Sequence, residues 1–292
     1  MTNVGSSSRW VLGIDSGGSK SVGLLLREDG CVGGIGFGGP TNLYFTSLED
    51  AQMAIRRVAM QALEAAAARG FIPGEVAPFP VAAVYLSAPG LREEVAIAAL
   101  EGPYHWQLFR LEDDAPAAFW GALPGEDGVI ALAGTGSFGY GRRAAQVAVK
   151  GGWGPVLGDE GSGYWIAVQG LRAVIRSFEG RGPATVLTRL LQETLHYRFE
   201  TELRRLVYGP SFNRHRLAGL SMLVSEAAMA GDRVAGEILA AAGRELASLA
   251  VAVAAELGWQ RSDQFAFSLT GGVSRAGAAL TGPFLAAFHE KY

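Results

Sequence analysis

The sequence predicts an α/β fold made of two similar halves, and three observations support this prediction. The 292 residues are 49% hydrophobic and 18% charged, which is enough apolar material for a sizeable core. Short strand patterns alternate with helical patterns, as they do in layered α/β folds. Each half opens with a strand, a glycine-rich turn and a second strand. We therefore expect a duplicated fold with a cleft between two lobes, residues 1–117 and residues 118–292.

The first half follows the order β-β-β-α-β-α-β-α. Short apolar runs predict the strands, and apolar residues recurring on one helical face predict the longest helix, which begins at the candidate N-cap Ser47. The predicted strands are 10–14, 22–26, 31–37, 81–86 and 107–111. The predicted helices are 47–68, 91–100 and 115–121.

The second half repeats this outline and then adds helices. A strand, a glycine turn and two further strands are followed by a long helical region, one more strand and a terminal helix. The predicted strands are 128–133, 138–142, 146–150 and 264–269. The predicted helices are 160–178, 183–206, 217–230, 232–257 and 274–292.

Composition excludes several classes of partner and site. The 25 Lys and Arg residues nearly balance the 28 Asp and Glu residues, so nothing favours binding to nucleic acid or to an acidic membrane. The single cysteine, Cys31, rules out a disulfide framework or an iron–sulfur cluster held within one chain. Residues 1–9 are polar and lack the apolar region of a signal peptide, so we expect none there. We expect a cytoplasmic protein with no nucleic-acid or membrane partner.

Glycine is unusually abundant, with 41 residues, about twice the average share. Residues 34–39 and 134–139 both match G-x-G-x-x-G, but neither is followed at once by a helix, as a dinucleotide site requires. Residues 13–20 place Asp15 in a glycine turn where it can hold Mg²⁺ near phosphates. An ordinary hairpin turn is the alternative there. Residues 133–137 repeat the same chemistry, and residues 269–274 suit close passage of a nucleoside.

Two further segments carry carboxylates. Residues 151–165 combine Asp159 and Glu160 with glycines and tryptophans, a composition that suits a polyol, and helix capping is the competing interpretation. Asp113 and Asp114 follow a predicted strand and open a helix. They are therefore either a cap or ligand contacts at the carboxyl end of a strand, where open α/β sheets bind ligands.

Taken together, these segments resemble the BadF/BadG/BcrA/BcrD ATPase family, and within it the N-acetylglucosamine kinase branch of the actin/hexokinase/Hsp70 superfamily. The resemblance rests on residues 13–20, 39–42, 114–115, 134–137, 152–154, 158–162 and 270–273. It implies an acetate-and-sugar-kinase fold, with two ribonuclease-H-like lobes that hold ATP in the cleft between them. Ser16 and Ser19 depart from the family's more usual Gly and Thr, and Phe138 stands where related kinases have Asn.

The resemblance also implies the roles of individual residues. Asp114 would be the catalytic base, and Asp15 would bind Mg²⁺ through water. The implied ATP-binding residues are Asp15, Gly17, Gly18, Ser19, Lys20, Gly134, Thr135, Gly136, Gly271, Gly272 and Ser274. The implied sugar-binding residues are Asn42, Asp114, Ser137, Gly152, Trp153, Gly154 and Asp159.

The implied activity is ATP-dependent phosphorylation of N-acetylglucosamine at its 6-hydroxyl, with ATP and Mg²⁺ as cofactors and a homodimer as the assembly. Glucosamine and N-acetylmuramic acid are alternative substrates. A nucleotide- or sugar-binding regulator without turnover is a further alternative, because family members usually continue past the position of Tyr292 with another strand and helix. Cys31 alone does not suit the family's dehydratase activators, in which each subunit gives two cysteines to a shared cluster.

Overall fold

The computed structural model describes residues 9–17, 20–43, 46–74, 78–198, 200–209 and 213–292. The chain divides into two compact units, Met1–Ala117 and Ala118–Tyr292. Each unit has its own sheet and its own cluster of buried apolar side chains. The division falls inside the helix Asp114–Ala122.

The first unit contains a five-stranded sheet in the order β3-β2-β1-β4-β5. Strands β1 to β3 are antiparallel neighbours, whereas β4 and β5 run parallel to β1, so that β1, β4 and β5 end at the same edge. The strands are β1 (Trp10–Ser16), β2 (Ser21–Arg27), β3 (Val32–Gly38), β4 (Phe79–Ser87) and β5 (Tyr104–Glu112). The helices are α1 (Leu48–Ala68), α2 (Glu93–Leu100) and α3 (Asp114–Ala122).

Glycines in β3 let helix α1 lie directly on the sheet. A Cβ atom on Gly34 would stand 1.9 Å from the carbonyl oxygen of Ala62, and one on Gly36 would stand 1.9 Å from that of Val58. Real Cβ atoms never approach backbone so closely, so the helix reaches its position only because these side chains are absent. The first G-x-G-x-x-G match therefore serves packing between a helix and a strand.

The second unit contains a four-stranded sheet in the order β8-β7-β6-β9, which repeats the order β3-β2-β1-β4 of the first unit. Again three antiparallel strands are followed by one that is parallel to the first of them. The strands are β6 (Gly128–Ala133), β7 (Ser137–Arg143), β8 (Gln146–Gly151) and β9 (Ala266–Thr270). The helices are α4 (Gly163–Phe178), α5 (Leu187–Leu195), α6 (Glu200–Val207), α7 (Arg214–Gly219), α8 (Ser221–Met229), α9 (Arg233–Glu256) and α10 (Ala278–Lys291), with a 3-10 turn at Gly272–Ala276.

Helix α9 forms the centre of the second unit. Among the described residues it is the one helix long and apolar enough to cross a membrane by length and composition. However, Leu239 and Leu246 are fully buried in the core of this unit, and a Cβ on Gly243 would lie 2.3 Å from the carbonyl oxygen of Leu280 in α10. These contacts are those of a core helix packed against its neighbours.

Three predicted helices are divided in the structure. The predicted helix 183–206 is wrong as a single element, because α5 ends at His196 in the left-handed conformation and α6 is separate. The predicted helix 217–230 spans the end of α7 and all of α8, which adjoin at Leu220. The predicted helix 274–292 begins only after Gly277, because the φ of 83° at that residue is not helical and the residues before it lie in the 3-10 turn.

Candidate active site

The first glycine turn follows β1 at the sheet edge shared with β4 and β5. Asp15 is exposed there and is paired in register with Ser87 of β4. The Gly17 N–H donates to the carbonyl of Lys20 (3.1 Å), and the Gly17 carbonyl accepts from Thr41 N–H (3.0 Å). Lys20 itself is exposed. Gly18 and Ser19, both predicted to bind phosphate, lie outside the described residues.

Ser16 is buried, and its hydroxyl is hydrogen-bonded to the hydroxyls of Ser21 and Thr41. Ser21 in turn donates to the carbonyl of Gly39 (2.6 Å). This network holds the segment after β3 against the first turn. Asn42, which is predicted to bind sugar, directly follows Thr41, whose N–H is bonded to that turn. The serine that departs from the family pattern at position 16 is therefore part of the internal structure of the loop.

Asp114 opens α3, two residues beyond the end of β5. Desolvation raises the pKa of its carboxyl group, and the negative charges of Asp113 and Asp15 raise it further, whereas backbone N–H groups at the start of α3 act in the opposite direction. The residue still keeps an exposed face. Asp114 thus combines a raised pKa with accessibility, as a general base requires.

The second glycine turn, residues 134–137, is anchored to the beginning of α4. The carbonyl of Gly134 accepts from Gly163 N–H (2.8 Å), and the Gly134 N–H donates to the Gly136 carbonyl (2.9 Å). The Ser137 hydroxyl is buried and donates to the carbonyl of Glu160 (2.7 Å). Ser137, predicted to bind sugar, therefore uses its hydroxyl within the protein.

Asp159 lies beneath this turn in the left-handed conformation, with φ of 60° and a side chain only 3% exposed. Its Oδ2 atom accepts from Arg214, and its Oδ1 atom faces the Ser137 N–H at 3.4 Å. A Cβ on Gly136 would stand 2.8 Å from Arg214 Nη2 and 2.9 Å from Asp159 Oδ2. Gly136 is thus required because the ion pair fills the space below the turn.

Sequence reasoning did not identify Arg214 or its neighbour His215, whose Nδ1 atom lies 3.4 Å from the Thr135 hydroxyl oxygen. Both belong to α7, which begins at the N-cap Asn213. The only local signal is this cap followed by two basic residues. Nothing in the spacing connects position 214 with position 159.

The predicted sugar loop leaves β8 through consecutive glycines. Gly152 and Gly154 have φ of 75° and 84°, values that L-residues with side chains rarely adopt. The Gly152 N–H donates to the Ser137 carbonyl (3.0 Å), so the loop is joined to the second turn. Between the two glycines, Trp153 is 73% exposed. An exposed indole held on a glycine loop can cover the apolar face of a ligand.

The third glycine element follows β9. Gly271 has φ of 92°, and a Cβ there would lie 2.4 Å from the carbonyl oxygen of Ala133, the residue before Gly134. The Ser274 hydroxyl donates to the Gly271 carbonyl (2.8 Å). A Cβ on Gly272 would meet no atom within 4 Å, so the space beside this residue is open. The elements predicted to face adenosine and those predicted to face phosphate are therefore adjacent within the second unit.

Comparison with known proteins assigns the chain to a family. A sequence model of the BadF/BadG/BcrA/BcrD ATPase family matches residues 12–282. The chain belongs to that family. This confirms the resemblance found in the sequence, and membership implies that the protein uses ATP.

Relatives of this ATPase family member include two curated kinases. The N-acetylmuramic acid/N-acetylglucosamine kinase of Clostridium acetobutylicum is 28% identical over 91% of this chain and 85% of its own length. The N-acetyl-D-glucosamine kinase of Dictyostelium discoideum is 36% identical over 56% of this chain and 52% of its own length.

A solved structure supports the fold. A Chromobacterium violaceum protein described as an N-acetylglucosamine kinase matches with a TM-score of 0.73 at 26% identity, covering 98% of this chain and 94% of that one. The predicted α/β fold of the actin-like ATPase superfamily is thereby confirmed.

Proposed function

We propose that this ATPase family member transfers the γ-phosphoryl group of ATP to the 6-hydroxyl of an amino sugar, with N-acetylglucosamine as the preferred acceptor. The single observation that carries the proposal is Asp114, an accessible carboxylate with a raised pKa at the sheet edge that also bears Asp15. The names of the relatives support an amino sugar as the acceptor.

In this proposal Asp114 orients the sugar hydroxyl and accepts its proton as the hydroxyl oxygen attacks the γ-phosphorus. A general base works best when its pKa approaches the operating pH, and desolvation moves Asp114 in that direction. Phosphoryl transfer otherwise depends mainly on positioning and on neutralising charge at the phosphates. Asp114 is therefore the residue whose loss should affect the chemical step most.

On the phosphate side, Asp15 and both glycine turns have a role in the proposal: the backbone N–H groups of the turns would donate to phosphate oxygens, and Asp15 would hold Mg²⁺. Among the described residues, no group of three or more His, Cys, Asp or Glu side chains gathers as a metal site. A single exposed carboxylate such as Asp15 nevertheless fits Mg²⁺, which keeps most of its waters and binds through one or two carboxylates together with substrate phosphates. Bound there, Mg²⁺ would neutralise charge on the transferred group.

The proposed sugar contacts are Asn42, Asp114, Ser137, Gly152, Trp153, Gly154 and Asp159. Trp153 offers an exposed aromatic face, and the glycines let backbone groups approach the hydroxyls closely. Ser137 would contribute as a hydrogen-bond acceptor, because its hydroxyl donates to the Glu160 carbonyl and its N–H faces Asp159. We further propose that the protein is cytoplasmic and that it forms a homodimer. Light scattering after gel filtration would measure the mass of the assembly and so check the dimer.

A steady-state assay over a sugar panel tests the proposed function. N-acetylglucosamine, N-acetylmuramic acid, glucosamine and glucose would each be offered with ATP and Mg²⁺, and the product would be located by NMR. The expected result is a 6-phosphate, with the highest kcat/KM for N-acetylglucosamine. Absence of any sugar-dependent ADP release would overturn the kinase and favour a regulator without turnover.

N-Acetylmuramic acid is the second candidate acceptor. The Clostridium acetobutylicum relative, which matches over 91% of this chain, is named for both sugars. A higher kcat/KM for N-acetylmuramic acid in the same panel would establish this alternative and would leave the phosphoryl-transfer chemistry unchanged.

A further inference from the structure

The second glycine turn has unused hydrogen-bond donors. The Gly134 N–H donates to Gly136, and the Ser137 N–H faces Asp159. Within the described part of the chain, the N–H groups of Thr135 and Gly136 have no hydrogen-bond partner. Two consecutive open N–H groups in a turn form a small concavity that favours an anion.

A guanidinium group and an imidazole ring lie directly beside these donors. The Arg214 guanidinium stands against Gly136, and the His215 ring lies 3.4 Å from the Thr135 hydroxyl. The two partners of the ion pair differ sharply in exposure, with 43% of the Arg214 side chain exposed and 3% of Asp159. The buried carboxylate holds one Nη2 donor and thereby aligns the guanidinium, whose remaining N–H groups stay available to a ligand.

We propose that Arg214 is a phosphate-binding residue of the second turn, aligned by Asp159 and assisted by His215. The inference rests on the proposed function, because ATP phosphate is the oxyanion the site would take. A guanidinium beside open backbone N–H groups presents only donors, which match phosphate oxygens rather than sugar hydroxyls alone. Asp159 then acts partly as a positioning residue, since its Oδ2 atom is committed to Arg214.

Calorimetric titration with MgATP and with adenosine tests this role. Arg214→Gln is expected to weaken MgATP binding by about tenfold to a hundredfold, the range for a lost charge-assisted hydrogen bond, and to leave adenosine binding unchanged. Arg214→Lys keeps the charge but not the planar donor array, so its loss should be smaller. Arg233→Gln is the matched control, because it removes one positive charge of the same unit from a solvent-exposed ion pair with Glu237.

The two ligands separate a binding role from a structural one. Equal weakening of MgATP and adenosine, or no weakening of either, would overturn the inference. If Arg214→Gln does not fold, as a thermal melt would reveal, Arg214→Lys and Asp159→Asn are compared in the same way. In both, the ratio of MgATP affinity to adenosine affinity should fall.

The same experiment distinguishes failure of this inference from failure of the proposed function. A wild-type protein that binds MgATP but phosphorylates no sugar would refute the kinase, and the Arg214 inference would still be decided by the ratio of the two affinities. A wild-type protein that phosphorylates sugar while Arg214→Gln keeps that ratio would refute the inference alone. A wild-type protein that does not bind MgATP would refute both.

Discussion

At Asp114, three influences raise the pKa of one carboxyl group: desolvation, the charge of Asp113 and the charge of Asp15. Asp114→Asn removes the proposed base and keeps the shape of the side chain, so kcat is expected to fall by about 10²–10⁴-fold while ATP binding stays near wild type. Steady-state kinetics and calorimetry would measure the two effects. An unchanged kcat would mean that Asp114 only caps α3.

A matched control is available one residue earlier. Asp113 is exposed, and its charge raises the pKa of Asp114. In Asp113→Asn that pKa should be lower, so the acidic limb of the kcat/KM profile is expected to move to lower pH with activity retained at neutral pH. An acidic limb that does not move would show that another group controls the profile.

The sequence indicates individual site residues only where they stand in a local pattern. Asp15 stands at the end of its strand, next to the strand's final residue Ser16, while Asp114 and the glycines of each turn follow strand ends. The strand pattern can be read within a few residues. The ion pair of Arg214 with Asp159 joins positions 55 residues apart through tertiary packing. Neither periodicity nor spacing carries that information, and the same holds for the hydroxyl network around Ser16.

At the level of elements, the contact between α1 and β3 depends on missing side chains. Gly36→Ala would place a Cβ 1.9 Å from the Val58 carbonyl oxygen, so the helix must shift. We expect a loss of about 1–3 kcal/mol in the free energy of unfolding, measured by urea denaturation. Gly236→Ala is the control: it lies within α9 with open space at its Cβ, and it should stabilise by about 0.5–1 kcal/mol. Equal effects in both variants would contradict the packing argument.

Asp232 makes the junction between α5 and α9 sensitive to pH. Desolvation acts against ionisation, but hydrogen bonds from Ala235 N–H (2.9 Å), Val186 N–H (2.6 Å) and the Thr185 hydroxyl (3.0 Å) prevail and hold the pKa of Asp232 below its ordinary value. A lowered folded-state pKa stabilises the protein above the unfolded-state pKa, and this contribution is lost as the pH falls through the folded-state value.

Asp232→Asn cannot ionise, so it isolates this contribution. The difference in unfolding free energy between wild type and Asp232→Asn is expected to be largest near neutral pH and to shrink as the pH falls below about 4, the ordinary pKa of Asp. Urea denaturation across this range would measure it. A difference independent of pH would mean that the carboxylate contributes through shape alone.

Long periodic helices and apolar strands were predictable, whereas interruptions within helical regions were not. Apolar spacing across residues 183–206 continues through His196, but that residue adopts φ of 56° and ends α5. A single residue in the left-handed conformation leaves no mark on hydrophobic periodicity. The role of the β3 glycines was equally hidden, because the pattern G-x-G-x-x-G does not state what approaches the backbone.

At the level of the whole molecule, the repeated outline in the sequence corresponds to a repeated sheet. The order β3-β2-β1-β4 in the first unit matches β8-β7-β6-β9 in the second, with the same pattern of antiparallel and parallel neighbours. The sequence carries this duplication only as an order of elements, since the residues themselves have diverged. The glycine turns occupy corresponding places, after β1 in one unit and after β6 in the other.

The two clusters of buried apolar side chains indicate which parts of the molecule unfold locally as a unit. Each cluster consists of residues from one unit, with Leu12 and Ile55 in the first and Val129 and Leu246 in the second. Local unfolding involves contiguous packed regions as units. A change that destabilises one core should therefore first lower the protection of the backbone amides of that core against hydrogen exchange. Gly36→Ala is therefore expected to speed native-state hydrogen exchange in β1, β2, β3 and α1, and to leave β6, β7 and α9 near wild type. Faster exchange by the same factor in both units would show instead that they open only together, as one cooperative body.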